Sequence, residues 1–149
     1  MRLKTEGFAD LERALLELKP ATAKRVLRRV GLEALQPVAD GMRAKAPTHL
    51  MQLHDAIDVG TRRSKRNKKH FPDPDVIEVY AGVKVVDRGM PPQGVQQEFG
   101  NENHGPQPFA RPTWDREEMP TLDRVKVSLT AEIDKAAARA KRKAMKAKR

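Results

Sequence analysis

The sequence predicts an α+β fold, in which a small antiparallel β-sheet packs against a long kinked helix and a C-terminal helix, followed by a basic C-terminal tail. Two long segments, one early and one late in the chain, repeat apolar residues every three or four positions, as amphipathic helices do. Between them, shorter segments alternate apolar and polar residues, which is the pattern of half-buried strands. Segregation of helices from strands favours α+β over an alternating α/β arrangement.

Two helices are expected in the first third of the chain. Residues 7–20 (GFADLERALLELKP) predict a short amphipathic helix that ends before Pro20, because proline disfavours helical geometry in the preceding residue and suits the first turn of a new helix. Residues 21–47 give the longest helical pattern, which Pro37 should kink and Pro47 should stop. Its apolar stripe consists of Leu27, Val30, Ala34, Leu35, Val38 and Met42.

Three strands are expected next. Residues 55–61 (DAIDVGT) alternate weakly and residues 75–86 (DVIEVYAGVKVV) alternate strongly, so the segment between them should be a long exposed loop. Residues 93–99 (QGVQQEF) predict a third strand, and Gly100 after it can take the positive φ that a tight turn needs.

A last helix should begin near Arg111 or Thr113, with Pro112 in its first turn and a break or bend at Pro120. Its apolar stripe consists of Leu122, Val125, Leu129, Ile133, Ala136 or Ala137, and Ala140. Residues 1–140 therefore predict a single domain that carries a long basic loop at about 61–75, and residues 141–149 predict a basic, flexible tail.

The net charge of +10 is unevenly distributed. Residues 62–69 and 135–149 together hold fourteen of the basic residues and no acid, so the rest of the chain has 16 basic against 20 acidic residues. A mildly acidic body with two basic appendages is expected, and the appendages are candidate contacts for phosphates or acidic partners. These candidates are Arg62, Arg63, Lys65, Arg66, Lys68, Lys69, Lys141, Arg142 and Lys143.

Several classes of site are disfavoured by the sequence. Without cysteine there is no disulfide, thiolate nucleophile or cysteine-ligated metal, and no segment approaches the roughly 20 apolar residues of a membrane span. The chain lacks the GxSxG, phosphate-loop and HExxH patterns. We therefore expect no enzymatic activity, no cofactor, no metal and no membrane partner.

Two weak alternatives remain open. His70 lies near Asp73 and Asp75, but the prolines among them make a turn the simpler interpretation than a metal site. Glu98 and Asp115 are a carboxylate pair of the kind that general acid–base catalysis uses, although no nucleophile or orienting partner adjoins them. The simpler expectations are that Glu98 ends the predicted third strand or that it pairs with Arg111 across the loop.

Residues 96–115 (QQEFGNENHGPQPFARPTWD) concentrate half of the six aromatic residues: Phe99, Phe109 and Trp114. Prolines on both sides of Phe109 restrict the chain at low entropic cost, which suits either a contact loop or a rigid helix entry. The aromatic side chains are expected either to fill the gap between sheet and helix or to serve as docking anchors.

The same stretch resembles a known family. The segments EFGN (98–101) and QPFARPT (107–113) are similar to the E-F-G-T and Q-P-F-x-R-P-A phrases of neck or tail-completion proteins of long-tailed bacteriophages, the lambda-like tail-component family. Further similarities are the G-F-x-x-L start at residue 7, the RAKAP segment at 43–47 and LHDAIDV before the first strand, so the resemblance covers roughly residues 1–140. The family's P-x-D-T-G-x-L phrase is altered here to PTHLMQL.

The resemblance implies a structural protein of the virion, assembled in the bacterial host cytoplasm as a six- or twelve-fold homo-oligomeric ring at the head–tail junction. Its partners would be head-closure or adaptor proteins, tail terminator or tail tube proteins, and packaged double-stranded DNA held without sequence specificity in the lumen. The expected structural or interface anchors are Glu98, Phe99, Gly100, Pro108, Phe109, Arg111, Pro112 and Trp114.

Two other functions stay open. The basic loop and tail are also compatible with a free, sequence-neutral DNA- or RNA-binding protein, whose affinity would fall steeply with salt. A small hydrolase or metal enzyme would need a cavity that joins Glu98, Asp115 and a histidine.

Overall fold

The computed structural model describes residues 8–47, 51–61, 77–84 and 92–147, and the predicted α+β fold is confirmed. A two-stranded antiparallel sheet packs against helices. The predicted loop cations at 62–69, and His70, Asp73 and Asp75, lie outside the described residues. In chain order the described elements are α1 (Phe8–Leu16), α2 (Pro20–Lys45), α3 (Met51–Ala56), β1 (Ile57–Gly60), β2 (Tyr80–Val83), α4 (Pro92–Phe99) and α5 (Arg111–Ala147).

The first two helices form, and Pro20 and Pro47 bound α2 as predicted. Pro20 occupies the first turn of α2, where its missing N–H would have had no partner in the helix. The helix continues past Pro37 and ends at Lys45, two residues before Pro47. Its buried side chains, at helical spacing, are Val26, Val30, Ala34, Leu35, Val38, Ala39 and Met42. The predicted stripe is thus largely the face that packs in the core.

The sheet pairs Ile57 with Val83 and Gly60 with Tyr80 in antiparallel register. Arg43 of α2 fixes the sheet to the helix, because its Nε and Nη2 donate to the Ile57 carbonyl at 3.0 and 2.6 Å. Lys84 adds an ion pair with Asp58. These contacts hold the strand ends, where a short two-stranded sheet has few bonds of its own.

The predicted third strand at 93–99 is wrong, since these residues form helix α4. Its inward side is Gly94, Gln97 and Glu98, at the i, i+3, i+4 spacing of one helical face, whereas Val95 and Phe99 are exposed. The sequence interpretation assumed that the apolar residues face inward, and here the buried positions are polar or glycine.

Helix α5 begins at Arg111 with Pro112 in its first turn, as predicted, but it continues without a break past Pro120 to Ala147. The predicted break at Pro120 and the predicted start of a tail at residue 141 are therefore not ends of the helix. Within the predicted stripe, Leu129 and Ile133 are buried while Ala140 is exposed.

The core consists of two apolar clusters joined by α2. In the first, the middle and end of α2 pack with Leu53, Ile57 and Phe109 under the inner face of the sheet. In the second, Val26 and Val30 pack with Leu129 and Ile133 of α5, and α1 covers them. Helix α5 crosses α2 closely, since a Cβ placed on Gly41 would lie 2.8 Å from Thr113 Cγ2. A larger residue at this crossing would separate the two helices.

Candidate functional site

The segment between α4 and α5 is held by local bonds at its start. Gly100 follows the last residue of α4, its φ of +79° is the left-handed conformation that glycine adopts at low cost, and its N–H donates to the Gln96 carbonyl at 2.7 Å. Asn101 Oδ1 then accepts from the N–H groups of Asn103 and His104 at 2.8 and 3.0 Å, which closes a tight turn. Gly100 therefore shapes the turn as predicted.

Glu98 connects this turn to the start of α5. Its Oε2 accepts from the backbone N–H groups of Phe109 and Ala110 at 2.8 and 2.9 Å, and its Oε1 accepts from that of Arg111 at 3.0 Å. The first N–H groups of a helix have no partner within it, and they carry partial positive charge. A carboxylate from α4 thus supplies the cap of α5. We call this arrangement the Glu98 clamp.

Arg111 closes the clamp from the outside. Its Nε donates to Glu98 Oε1 at 2.9 Å and its Nη2 donates to the Glu98 backbone carbonyl at 2.8 Å, so the predicted pairing of the two residues is confirmed. The guanidinium also lies 4.6 Å from the centroid of the Phe99 ring. Arg111 therefore binds α4 through a side chain, a carbonyl and an aromatic face.

The clamp keeps the Glu98 carboxylate ionised. Burial, with only 7% of the side chain exposed, would by itself raise the pKa of Glu98, but the hydrogen bonds from Ala110, Arg111 and Phe109 outweigh it and hold the pKa below the ordinary value. With its oxygens occupied by these donors, Glu98 has the environment of a structural carboxylate. Asp115, the other member of the candidate acid–base pair, lies instead beside a groove on the surface.

Phe109 is the apolar anchor of the clamp. It is 2% exposed and belongs to the first core cluster, as predicted for a residue that fills the gap between sheet and helix. Its carbonyl accepts from Thr113 Oγ1 at 2.7 Å, and Trp114 N–H donates to the Ala110 carbonyl at 2.9 Å. Pro108 and Pro112 restrict the backbone φ on either side of this anchor.

The other two aromatic residues of the stretch are at the surface. Phe99 is 62% exposed and Trp114 is 44% exposed, so the expectation that Phe99 fills the gap between sheet and helix is wrong. Because α4 is helical, Phe99 follows Val95 by one turn, and both project outward. Each of the two helices that the clamp joins thus carries one exposed aromatic side chain, the type of residue that is enriched in docking sites.

Beside Trp114 lies an apolar groove of about 420 Å³ between α2, β2 and the start of α5. We call it the α2–α5 groove. Leu35, Val38 and Met42 line it from α2, and Tyr80, Arg111, Trp114 and Asp115 border it on the other elements. Apolar depressions with a few polar groups at the border are typical binding surfaces.

The predicted phosphate contacts of the tail are on the C-terminal end of α5. Lys141, Arg142 and Lys143 are exposed there. Within residues 8–47, 51–61, 77–84 and 92–147, no group of three His, Asp or Glu side chains is placed to hold a metal ion. No helix of this part of the chain is long and apolar enough to cross a membrane.

Sequence reasoning missed two features of the site. It did not predict that Glu98 caps α5 through backbone N–H groups, because a cap supplied from 11 to 13 residues upstream has no fixed sequence signature, unlike a local Ser or Asp cap. It also missed Arg43, whose contact with the Ile57 carbonyl leaves no pattern in the sequence.

Comparison of the chain with protein-family models, curated proteins and solved structures finds no match.

Proposed function

We propose that this protein is a ring-forming neck or tail-completion component of a bacteriophage head–tail connector, which joins head-closure proteins to the tail around the DNA channel. The observation that carries the proposal is the Glu98 clamp. It gives a physical role to the residues of the two phrases, EFGN and QPFARPT, on which the family resemblance rests.

The clamp supports a structural role through its rigidity. A ring subunit must present the same surface to each neighbour, and a preorganised surface loses less entropy on binding. Bonds from Glu98 fix α4 against α5, while Phe99 of α4 and Trp114 of α5 stay exposed. The arrangement is that of a building block with fixed docking residues.

The mildly acidic body also suits a channel for DNA. A ring with a strongly basic interior would retain DNA in transit, since cations that neutralise phosphates bind DNA with high affinity. The fourteen cations of residues 62–69 and 135–149 are confined to two segments, so only those segments would contact the DNA or acidic neighbouring rings.

The test is the position of the chain in particles. Virions assembled from the genome that encodes this chain are labelled with an antibody against it and imaged by negative-stain electron microscopy. Label at the head–tail joint is expected, and particles that lack label there contradict the proposal. Glu98→Ala, which opens the clamp, should reduce joined particles, whereas Glu102→Ala, an exposed acid in the neighbouring turn, should not.

A second candidate function, sequence-neutral nucleic-acid binding, is favoured by the exposed cations at the end of α5. It predicts that a DNA duplex binds the purified chain with a strong inverse dependence on salt, and that neutralising Lys141, Arg142 and Lys143 abolishes the binding. If that triple variant still supports particle assembly, free nucleic-acid binding is not the function.

A further inference from the structure

The C-terminal end of α5 extends beyond the helices that pack on its middle. Ile133 is the last residue of α5 that is buried among those whose side chains the structure describes, and every such side chain between residues 138 and 146 is exposed. We call residues 138–147 the arm. It carries five cations and no acid, and Met145 is 72% exposed within it. A helix of this composition has an apolar anchor surrounded by positive charge.

The α2–α5 groove, near the opposite end of α5, has the complementary character. Its floor is apolar, and Asp115 lies at its border with Glu118 one turn further along the same helix face. Neither Asp115 nor Glu118 takes part in an ion pair within the part of the chain that the structure describes. Arg111 also lines the groove, but its guanidinium is paired with Glu98. The exposed tryptophan therefore lies beside two carboxylates that have no cation partner in the described part of the chain.

The arm and the groove cannot meet within one chain. Trp114 and Met145 are on the same helix, and at 1.5 Å per residue their 31-residue separation is roughly 47 Å. A partner that supplies the arm to this groove must be another molecule. A second copy has the required charge, helical form and exposed methionine.

We propose that the arm of one copy docks in the α2–α5 groove of the next, with Met145 against Trp114 and the arm's cations facing Asp115 and Glu118. Different surfaces of the two copies meet, so the contact is head-to-tail, and such contacts generate closed rings when the rotation per copy allows closure. The inference rests on the proposed ring function and names its subunit contact.

Charge reversal tests the contact in the purified full-length chain. The arm variant is Lys141→Glu with Arg142→Glu and Lys143→Glu, and the groove variant is Asp115→Lys with Glu118→Lys. Sedimentation velocity should show that each variant alone loses the oligomers of the unchanged chain. A mixture of the two, or both sets of changes in one chain, should restore oligomers, because every arm again faces a groove of opposite charge.

A matched control reverses the same number of exposed cations elsewhere. Lys19→Glu with Arg25→Glu and Arg28→Glu, at the start of α2, should leave the oligomers unchanged. The chain has no cysteine, so orientation can be read from introduced pairs: in a mixture of Asp115→Cys and Lys146→Cys chains, disulfides should join 115 to 146 in preference to either residue with itself.

Three results would overturn the inference: an unchanged chain that sediments as a monomer at every concentration, an arm variant with undiminished oligomers, or no restoration on mixing. An arm variant that loses only its binding to a DNA duplex would identify the arm as a nucleic-acid contact.

If label is at the head–tail joint and the arm variant still assembles, the contact fails while the proposed function stands. If oligomers depend on these charges but no label is at the joint, the contact stands while the proposed function fails.

Discussion

The two ends of α5 are built in opposite ways. At the first end, Glu98 accepts three backbone N–H groups and Phe109 is buried in the core. At the last end, the side chains are exposed and the arm's cations repel one another. The bonds and burial that stabilise the fold extend from the first end of the helix to Ile133, which leaves the sequence beyond that residue free to serve a contact. Four substitutions or conditions test this division.

The largest expected effect is that of Phe109→Ala at the clamped end. Removal of a ring that is 2% exposed leaves a cavity in the first core cluster, so the free energy of unfolding should fall by about 3–5 kcal/mol. Urea denaturation measures this change in the free energy of unfolding. Phe99→Ala is the matched control, since that ring is 62% exposed, and its change should stay near about 0.5 kcal/mol. Equal losses in both variants would contradict the assignment of Phe109 as the anchor.

Glu98→Ala should have the next largest effect, a loss of about 1–3 kcal/mol in the free energy of unfolding, because buried N–H donors at the start of α5 would lose their acceptor. Glu98→Gln keeps one acceptor oxygen and should lose less. The ordering of the two variants in the same denaturation assay is the decisive result. A Gln variant as unstable as the Ala variant would show that the clamp needs both carboxylate oxygens as acceptors.

A smaller effect is expected from pH. The folded-state pKa of Glu98 is below its ordinary value of 4.5, so its contribution to stability is fully present above pH 4.5 and is lost as the pH falls through the folded-state pKa. The hydrogen bond from Lys84 also lowers the pKa of Asp58, so the contribution of Asp58 to stability is likewise lost as the pH falls. Midpoints of urea denaturation from neutral to acidic pH should therefore depend less on pH in Glu98→Gln than in the unchanged chain. If the midpoints of the two chains changed equally with pH, protonation of Glu98 would not be coupled to folding.

The smallest effect on stability is expected at the arm. Lys141→Ala with Arg142→Ala should change the free energy of unfolding by less than about 0.5 kcal/mol, because both side chains are exposed and outside the two core clusters. Thermal unfolding checks this. A large loss would mean that the arm is part of the folding unit, and the contrast between the ends of α5 would disappear.

The elements that the sequence predicts well are those in which apolar residues face the core. The stripe of α2 and the pair β1 and β2 follow that rule, and the prolines at 20 and 112 occupy first turns as expected. Helix α4 departs from it, since its buried face holds Gln97 and Glu98 while Phe99 is outside. A pattern of apolar residues cannot show that a polar residue is buried to cap a distant helix.

The helix continues past Pro120 for a related reason. Proline in a helix interior removes one backbone bond, but tertiary packing on both sides can outweigh that cost. Here Thr113 and Thr121 are buried against the rest of the fold, and Arg124 binds the Ala34 carbonyl of α2. The sequence shows the proline that removes a helical hydrogen bond, but it does not show the tertiary contacts that offset this loss.

The crossing of α2 and α5 has a consequence for synthesis. Arg124 and Ala34 are 90 residues apart in the chain, and Val26 and Val30 are buried only when Leu129 and Ile133 have been added. On the ribosome, the first turns of α2 therefore lack their apolar partners until the middle of α5 has been synthesised, which exposes this part of the helix to chaperones and to premature association in the meantime. Translation speed through the last third of the message should thus influence the yield of native chains.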